Sequence, residues 1–316
     1  MNSLEKSQSI VDSLTFGEGV NFDSYLHPDD QAKVKQASHW REKLKDFQFN
    51  PQEQSGKLLP FSKAANHFRI RPSETTIHTG YNGHKKSLML GYIQLGLISQ
   101  SEKCLNVSLE MPPHITLDRQ IKQFANCKQP SLLLHERFFD FVKDNLYIYD
   151  QIGTMRWKRV IAVCRYAIVE LGVTQCFLDS LMKFGIKSKD HETQAEFVDE
   201  LATLAKDTGA HIHLVSHSKK PSEHGEGKMP DKYDIAGSAD ISNLVDNVAI
   251  HFTDKSDGRR FDQCLKIAKQ RNPESEMTEP TIGLDFESES LQFVPSFEGQ
   301  FTQRMSAEDW ENGRFN

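Results

Sequence analysis

Three short stretches of the chain carry side chains of the types that phosphate chemistry requires. The first is Gly80-Tyr81-Asn82-Gly83-His84-Lys85-Lys86-Ser87, which follows the short run TTIHT and opens the apolar stretch LMLGYIQLGLI. Strand, glycine loop, lysine-serine pair and helix in that order make an anion cradle. Backbone N–H groups and the positive end of the helix face the phosphates, the lysine reaches the outer ones, and the hydroxyl serves Mg²⁺. Gly80, Lys86 and Ser87 fit, whereas Lys85 stands where this spacing has its second glycine. Taken alone, the octapeptide also suits a glycine turn that opens a core helix. The second stretch, CLNVSLE, ends in Glu110 and is followed by Met-Pro-Pro. A carboxylate at such a strand end can orient or deprotonate a water on the γ-phosphate side of the loop, although an ordinary exposed acid has the same look. The third, TQCFLD, closes on Asp179, which suits a Mg²⁺ ligand acting through water.

These groups converge only if the elements carrying them lie side by side. Short apolar runs at Thr75–Gly80, Cys104–Glu110, Leu146–Tyr149, Thr174–Asp179 and His211–Ser216 read as strands, with helical patterns between them. That alternation implies an α/β fold with a mainly parallel sheet, helices on both faces, and ligands beyond the carboxyl ends of the strands. Val248–Phe252, Leu265–Gln270, Thr281–Phe286 and Leu291–Val294 are close-spaced and read as antiparallel additions. Ahead of the sheet, Val34, Ala37, Trp40, Leu44 and Phe47 recur at steps of three and four, predicting an amphipathic helix over Pro28–Phe47, and Asn50–Pro60 reads as a linker. The expected division is an N-terminal tail and linker helix over 1–60, the α/β domain over 61–296, and an acidic tail over 297–316.

Composition sets the outer limits. The 316 residues include 38 basic and 44 acidic side chains, with 37% apolar content, which is ordinary globular usage. Ten of the acids fall in residues 274–316, so the remainder is slightly positive and a polyanionic partner is compatible with it. Five cysteines without metal spacing suggest reduced thiols and a cytoplasmic setting, in a bacterial or phage-infected cell. No apolar run is long enough to span a membrane, so no membrane partner is expected.

At this level the text resembles the RecA-like motor domain of hexameric replicative DNA helicases, the DnaB and Twinkle class that includes phage helicase–primases. The resemblance runs over about residues 60–296 and rests on an ordered series: GYNGHKKS, NVSLEMP, CFLDSL, LVSHSKKP, DIAGSADI with NLVDNVAIHF, and IAKQRN. It implies a RecA-like P-loop NTPase core that uses ATP and Mg²⁺ and assembles as a homo-oligomeric, hexameric ring. Such a ring would translocate on single-stranded DNA and unwind duplex, working with a separate primase or loader.

Residue by residue, the resemblance implies that the loop Gly80–Ser87 holds the nucleotide. Within it Lys86 contacts the β- and γ-phosphates and Ser87 the Mg²⁺, which Asp179 also holds. Glu110 becomes the catalytic glutamate and His217 the polar sensor between γ-phosphate and DNA. Lys269 and Arg271 match the pair inserted into the neighbouring subunit's ATP site. Phe286 falls where relatives place an aromatic against the base, and an ordinary core aromatic is equally compatible with the text. Lys219, Lys220 and Lys228 lie in the stretch that matches a DNA-binding loop. Two departures stand out: Lys85 in place of glycine, and Ala236 where many relatives carry Arg before Gly-Ser. No primase text is present. The alternatives are a RecA-like recombinase or loader ATPase, and a catalytically weak ATP-binding regulator of another helicase.

Overall fold

In the computed structural model, residues 35–49, 56–187, 189–219, 228–235, 241–256, 261–273, 279–297, 300–301 and 304–315 are described. A small antiparallel pair, β1 (Lys57–Leu58) and β2 (Arg69–Ile70), precedes the main sheet. Six parallel strands follow: β3 (Thr75–Thr79), β4 (Cys104–Ser108), β5 (Leu146–Ile148), β6 (Gln175–Asp179), β7 (His211–Val215) and β8 (Asn247–Thr253). Then β9 (Gln263–Gln270), β10 (Thr281–Glu287), β11 (Gln292–Phe297) and β12 (Gln300–Phe301) add antiparallel on one side. The ten strands run in the order β12-β11-β10-β9-β8-β3-β7-β6-β4-β5.

Two expectations need correction. The stretch read as the first antiparallel addition is β8, which pairs in parallel with β3, Thr76 opposite Asn247 and Thr79 opposite Ile250. The long connection from β7 to β8 provides the crossover that a parallel partner needs, so the change of sense falls one strand later, between β8 and β9. Glu110 is also not on its strand: β4 ends at Ser108 and the carboxylate lies in the following bend.

Helices cover both faces. They are α1 (Arg41–Phe49), α2 (Lys86–Ile98), α3 (Pro113–Ala125), α4 (Leu132–Val142), α5 (Trp157–Leu171), α6 (His191–Thr208), α7 (Ile241–Leu244) and α8 (Ala307–Glu311). The two-residue period of the strands sorts their side chains. Ile77, Leu105, Val107, Cys176, Leu178, Ile212 and Leu214 pack with α5 and α6, whereas Phe177, Val215 and Ala249 share the opposite core with α2, α3 and α4. Helix α2 is apolar all round and is buried from Met89 to Ile98, as such a helix must be.

The C-terminal segment contributes to that second core. Ser306 and Asp309 cap α8 reciprocally, Met305 and Trp310 are buried, and Trp310 meets Tyr92 of α2 edge-on at 4.9 Å. Arg137 of α4 grips Glu311 through two bonds of 3.0 and 2.7 Å. An acidic composition thus conceals apolar residues that anchor 304–315 on the domain; burying Trp310 contributes about 2–3 kcal/mol. At the other end, a 3₁₀ turn over Ala37–Trp40 leads into α1, and Trp40, Leu44 and Phe49 are exposed. The part of the expected helix before residue 35 lies outside the described residues.

The sheet face beneath α2 is polar at its centre, which is unusual for strands buried on both sides. Glu102 accepts from the Gln175 amide at 2.7 Å, which turns Gln175 Oε1 toward His213 Nε2, 3.2 Å away. That leaves His213 Nδ1 to accept from His78 Nε2 at 3.1 Å, and His78 Nδ1 to accept from His251 Nε2 at 3.0 Å. One chain of hydrogen bonds, all donated in the same direction, therefore crosses β8, β3, β7 and β6. Alongside it, His211 bonds the Thr76 hydroxyl at 2.9 Å and the Arg71 carbonyl at 2.6 Å. Burial holds all four rings in the neutral form: His78 and His213 titrate well below the ordinary histidine range, His211 is lowered to about 4 and His251 to about 3.

Because the unfolded chain takes up protons near pH 6.5 and the folded rings do not, the contribution of these rings to stability is constant above about pH 7. It falls as pH drops below 6.5, by up to about 1.4 kcal/mol per pH unit for each ring. Urea unfolding between pH 5 and 7.5 should show this slope, and His78→Leu with His251→Leu should remove about half of what these four rings contribute, leaving the parts of His84 and His217 in place. An unchanged slope in that variant would refute the account.

Candidate nucleotide site

The loop after β3 is shaped by one close approach. A Cβ on residue 80 would sit 2.2 Å from the His251 carbonyl oxygen, and Gly80 has φ +146°, so only glycine allows β8 to lie this close. The loop then turns through Gly83, with φ +79°, into Lys85, whose φ of +56° makes it a left-handed residue at the start of α2. His84 accepts a bond of 2.9 Å from the Thr253 amide, and burial together with Lys86, Lys255 and Lys85 lowers its titration to about 4. The His84 ring thus ties the loop to the end of β8.

Lys86 is buried, and its Nζ donates to the Gly80 and Tyr81 carbonyls at 2.8 and 2.9 Å. Burial lowers its pKa to about 8, with Asp179 and Glu110 acting in the opposite direction. Ser87 donates a short hydrogen bond to Asp179 at the end of β6. Burial raises the Asp179 carboxyl above its usual range, against the Ser87 bond and the charges of Lys86 and Arg119. Glu110 is exposed and accepts a bond of 3.2 Å from Ser180, whose peptide with Asp179 is cis. His217 is half-buried. Burial and the Lys86 charge lower its pKa, the Glu110 charge raises it, and its Nδ1 is buried with no hydrogen-bond partner among the described residues. The two loops meet directly: Ser218 donates its amide to the Gly80 carbonyl at 3.2 Å and shares a hydroxyl contact of 3.1 Å with Thr79.

Lys86, Ser87, Glu110, Asp179 and His217 therefore gather at the carboxyl ends of β3, β4, β6 and β7. Hard oxygen donors at Ser87 and Asp179, a lysine held by loop carbonyls, and the N-terminus of a thirteen-residue helix fit a magnesium nucleotide. Tyr81 and Asn82 complete the loop, Asn82 exposed and Tyr81 half-buried.

Of the remaining sequence candidates, Phe286 borders the loop, and Lys269 and Arg271 lie away from it. Phe286 on β10 packs against Phe293 at 5.2 Å, and the Lys85 ammonium stands 4.6 Å over its ring. Lys269 and Arg271 sit at the opposite end of the sheet. Lys269 donates to the Ser242 and Val245 carbonyls at 2.7 Å each, and Arg271 pairs at 2.9 Å with Asp246. Asp246 is buried and also accepts from the Thr75 amide at the start of β3. Their own chain does not bring these two cations to the loop. Lys219 and Lys228 are exposed; Lys220 and Ala236 lie outside the described residues.

Sequence reasoning passed over Arg119. It lines, with Ser87, Asp179, Asn106 and Ser108, a cleft between α2 and α3. The signal was present, since Thr116, Gln120 and Gln123 mark a buried polar stripe on α3.

The fold is the RecA-like one of replicative-helicase ATPase domains. One solved ATPase domain superimposes with a TM-score of 0.69 at 15% identity, over 82% of this chain and 99% of that one. A DnaB-like replicative helicase, solved to study its interactions with primase, gives 0.68 at 14% identity, over 83% of this chain and 69% of that one. In sequence, the chain is similar to the chloroplastic/mitochondrial Twinkle homolog protein of Arabidopsis thaliana, 26% identical over 107 residues. That match spans 32% of this chain and 15% of the relative. No protein-family model matches the chain. No helix among the described residues is long and apolar enough to cross a membrane.

The two loop glycines should respond differently to substitution. Gly83→Ala meets open space and bears only the positive φ, about 1 kcal/mol. Gly80→Ala must displace a backbone carbonyl and should cost about 3 kcal/mol or more. Urea midpoints compare them; equal losses would show that the His251 contact is not the constraint.

Proposed function

We propose that the chain is an ATP-driven motor of the replicative DNA helicase type, which assembles as a hexameric ring and moves along single-stranded DNA. The observation that carries this reading is the separation of charges on the sheet: Lys86, Ser87, Glu110, Asp179 and His217 at one end, Lys269 and Arg271 at the other. An arginine that acts on the transferred group can be supplied by a neighbouring subunit, and Arg271 is held away from its own loop by Asp246.

In this reading Lys86 releases the Gly80 and Tyr81 carbonyls to hold the outer phosphates, while Ser87 and Asp179 hold Mg²⁺. Bound Mg²⁺ supplies neutralisation of the phosphate charge. Glu110, exposed beside Lys86, orients the attacking water and accepts its proton. His217, between Lys86 and the segment that begins at Lys219, relates the state of the site to DNA held by Lys219, Lys220 and Lys228. The planar, always-charged Arg271 of the adjacent subunit stabilises charge on the transferred group. Similarity to a helicase studied with its primase supports a primase or loader as partner.

A recombinase or loader would share the fold, and a regulator would bind ATP with little turnover. DNA-stimulated ATP turnover measured together with native mass separates the three. Glu110→Gln should retain ATP binding and lose turnover; turnover at the parental rate would remove Glu110 from its assigned role. Mixing Glu110→Gln with Arg271→Ala protein should restore activity in mixed rings, and verified mixed rings that stay inactive would count against an arginine supplied in trans. Alanine at Lys219, Lys220 and Lys228 should weaken binding to any DNA sequence alike and flatten its salt dependence, which a fluorescence titration at several salt concentrations reads directly.

A further inference from the structure

Lys85 is the residue that the functional reading leaves without a task. Its backbone is left-handed, and its positive charge lies at the N-terminus of α2, where the helix dipole disfavours a cation. Lys86 and Lys255 add further positive charge around the loop. The side chain is nonetheless held in place, half-buried, with its ammonium 4.6 Å from the centre of the Phe286 ring. The Asp262 carboxylate attracts it there, and the same carboxylate accepts a bond of 3.4 Å from the Phe286 amide. Phe286 is fixed in turn by its cross-strand partner Phe293. One residue from the phosphate lysine, a half-buried aromatic ring is therefore covered by an ammonium drawn from the loop itself.

A ring so placed has the chemistry of a stacking platform for a flat heterocycle, and a cation over its face occupies the position that a stacked base needs. We propose that Lys85 is a latch on Phe286, which the base of an incoming nucleotide must displace in order to stack. The latch rests on the nucleotide reading of the loop. It makes Lys85 a specificity-determining residue that lowers the preference for base-bearing ligands over bare polyphosphate. Bare polyphosphate leaves the ammonium on the ring, whereas a base that stacks must break that contact, so the cost falls on base-bearing ligands alone. The glycine usual at this position imposes no such cost.

The test compares binding of Mg-ATP and of magnesium tripolyphosphate, which has no base, by calorimetry on the full chain. Lys85→Met keeps the length of the side chain and removes its charge. Lys85→Gly serves as a second variant, because glycine accepts the positive φ without strain. The preference for ATP over tripolyphosphate should rise roughly 3- to 30-fold in either variant, the range expected for loss of a partly desolvated cation–aromatic contact. In a Phe286→Leu background neither change at Lys85 should alter the preference. A preference that is unchanged or lower in Lys85→Met and Lys85→Gly overturns the latch while leaving the nucleotide site intact. Failure of the parent and all variants to bind either ligand would overturn the nucleotide reading, and the latch with it.

Discussion

The closeness of Gly80 to the His251 carbonyl is the constraint from which the rest of the site follows. With no Cβ at residue 80, β8 lies in parallel register against β3 up to the point where the loop departs. That register sets the Thr253 amide against the His84 ring and brings the β9–β10 hairpin, with Asp262 and Phe286, within reach of Lys85. It also aligns His251 with His78, so that the hydrogen-bonded chain crossing the sheet begins directly behind the loop. The loop is thus shaped from the C-terminal half of the domain as much as from its own residues.

Much of this was legible in the sequence, for a physical reason. Short apolar runs bounded by turn residues mark strands wherever both faces are covered, and the positions of β3 to β10 follow the text to within a residue or two, while β11 runs three residues further than its apolar text. What a strand's own text does not encode is the direction of its neighbour. This is why β8 read as an antiparallel addition, although a long connection precedes it. The loop residues were legible because phosphate binding demands fixed types at fixed spacing, and the left-handed conformation at Lys85 is what a side chain in a glycine position has to adopt.

The histidine chain was not legible, because it depends on register across four strands. In the text His78, His213 and His251 are single polar letters at alternate strand positions. Only the lateral pairing brings them to hydrogen-bond distance and excludes water from them. Arg119 was not legible either, because its neighbours in the cleft come from α2, β4 and β6. The C-terminal helix was concealed by its composition: the capping pair Ser306 and Asp309 was readable, yet ten acids in residues 274–316 outweigh the apolar signal of Met305 and Trp310.

The packing of Trp310 gives the molecule a built-in optical reporter. Trp40 is half exposed and lies before α1, Trp157 is partly buried against Phe197 far from α2, and only Trp310 is sealed from water against Tyr92, six positions along α2 from Lys86. Emission from a sealed indole is blue-shifted relative to one in water and responds to nearby packing, so the short-wavelength part of the intrinsic fluorescence belongs to the side of the domain on which the phosphate-loop helix is seated. A movement of that helix, whatever its cause, can be followed without attaching any label.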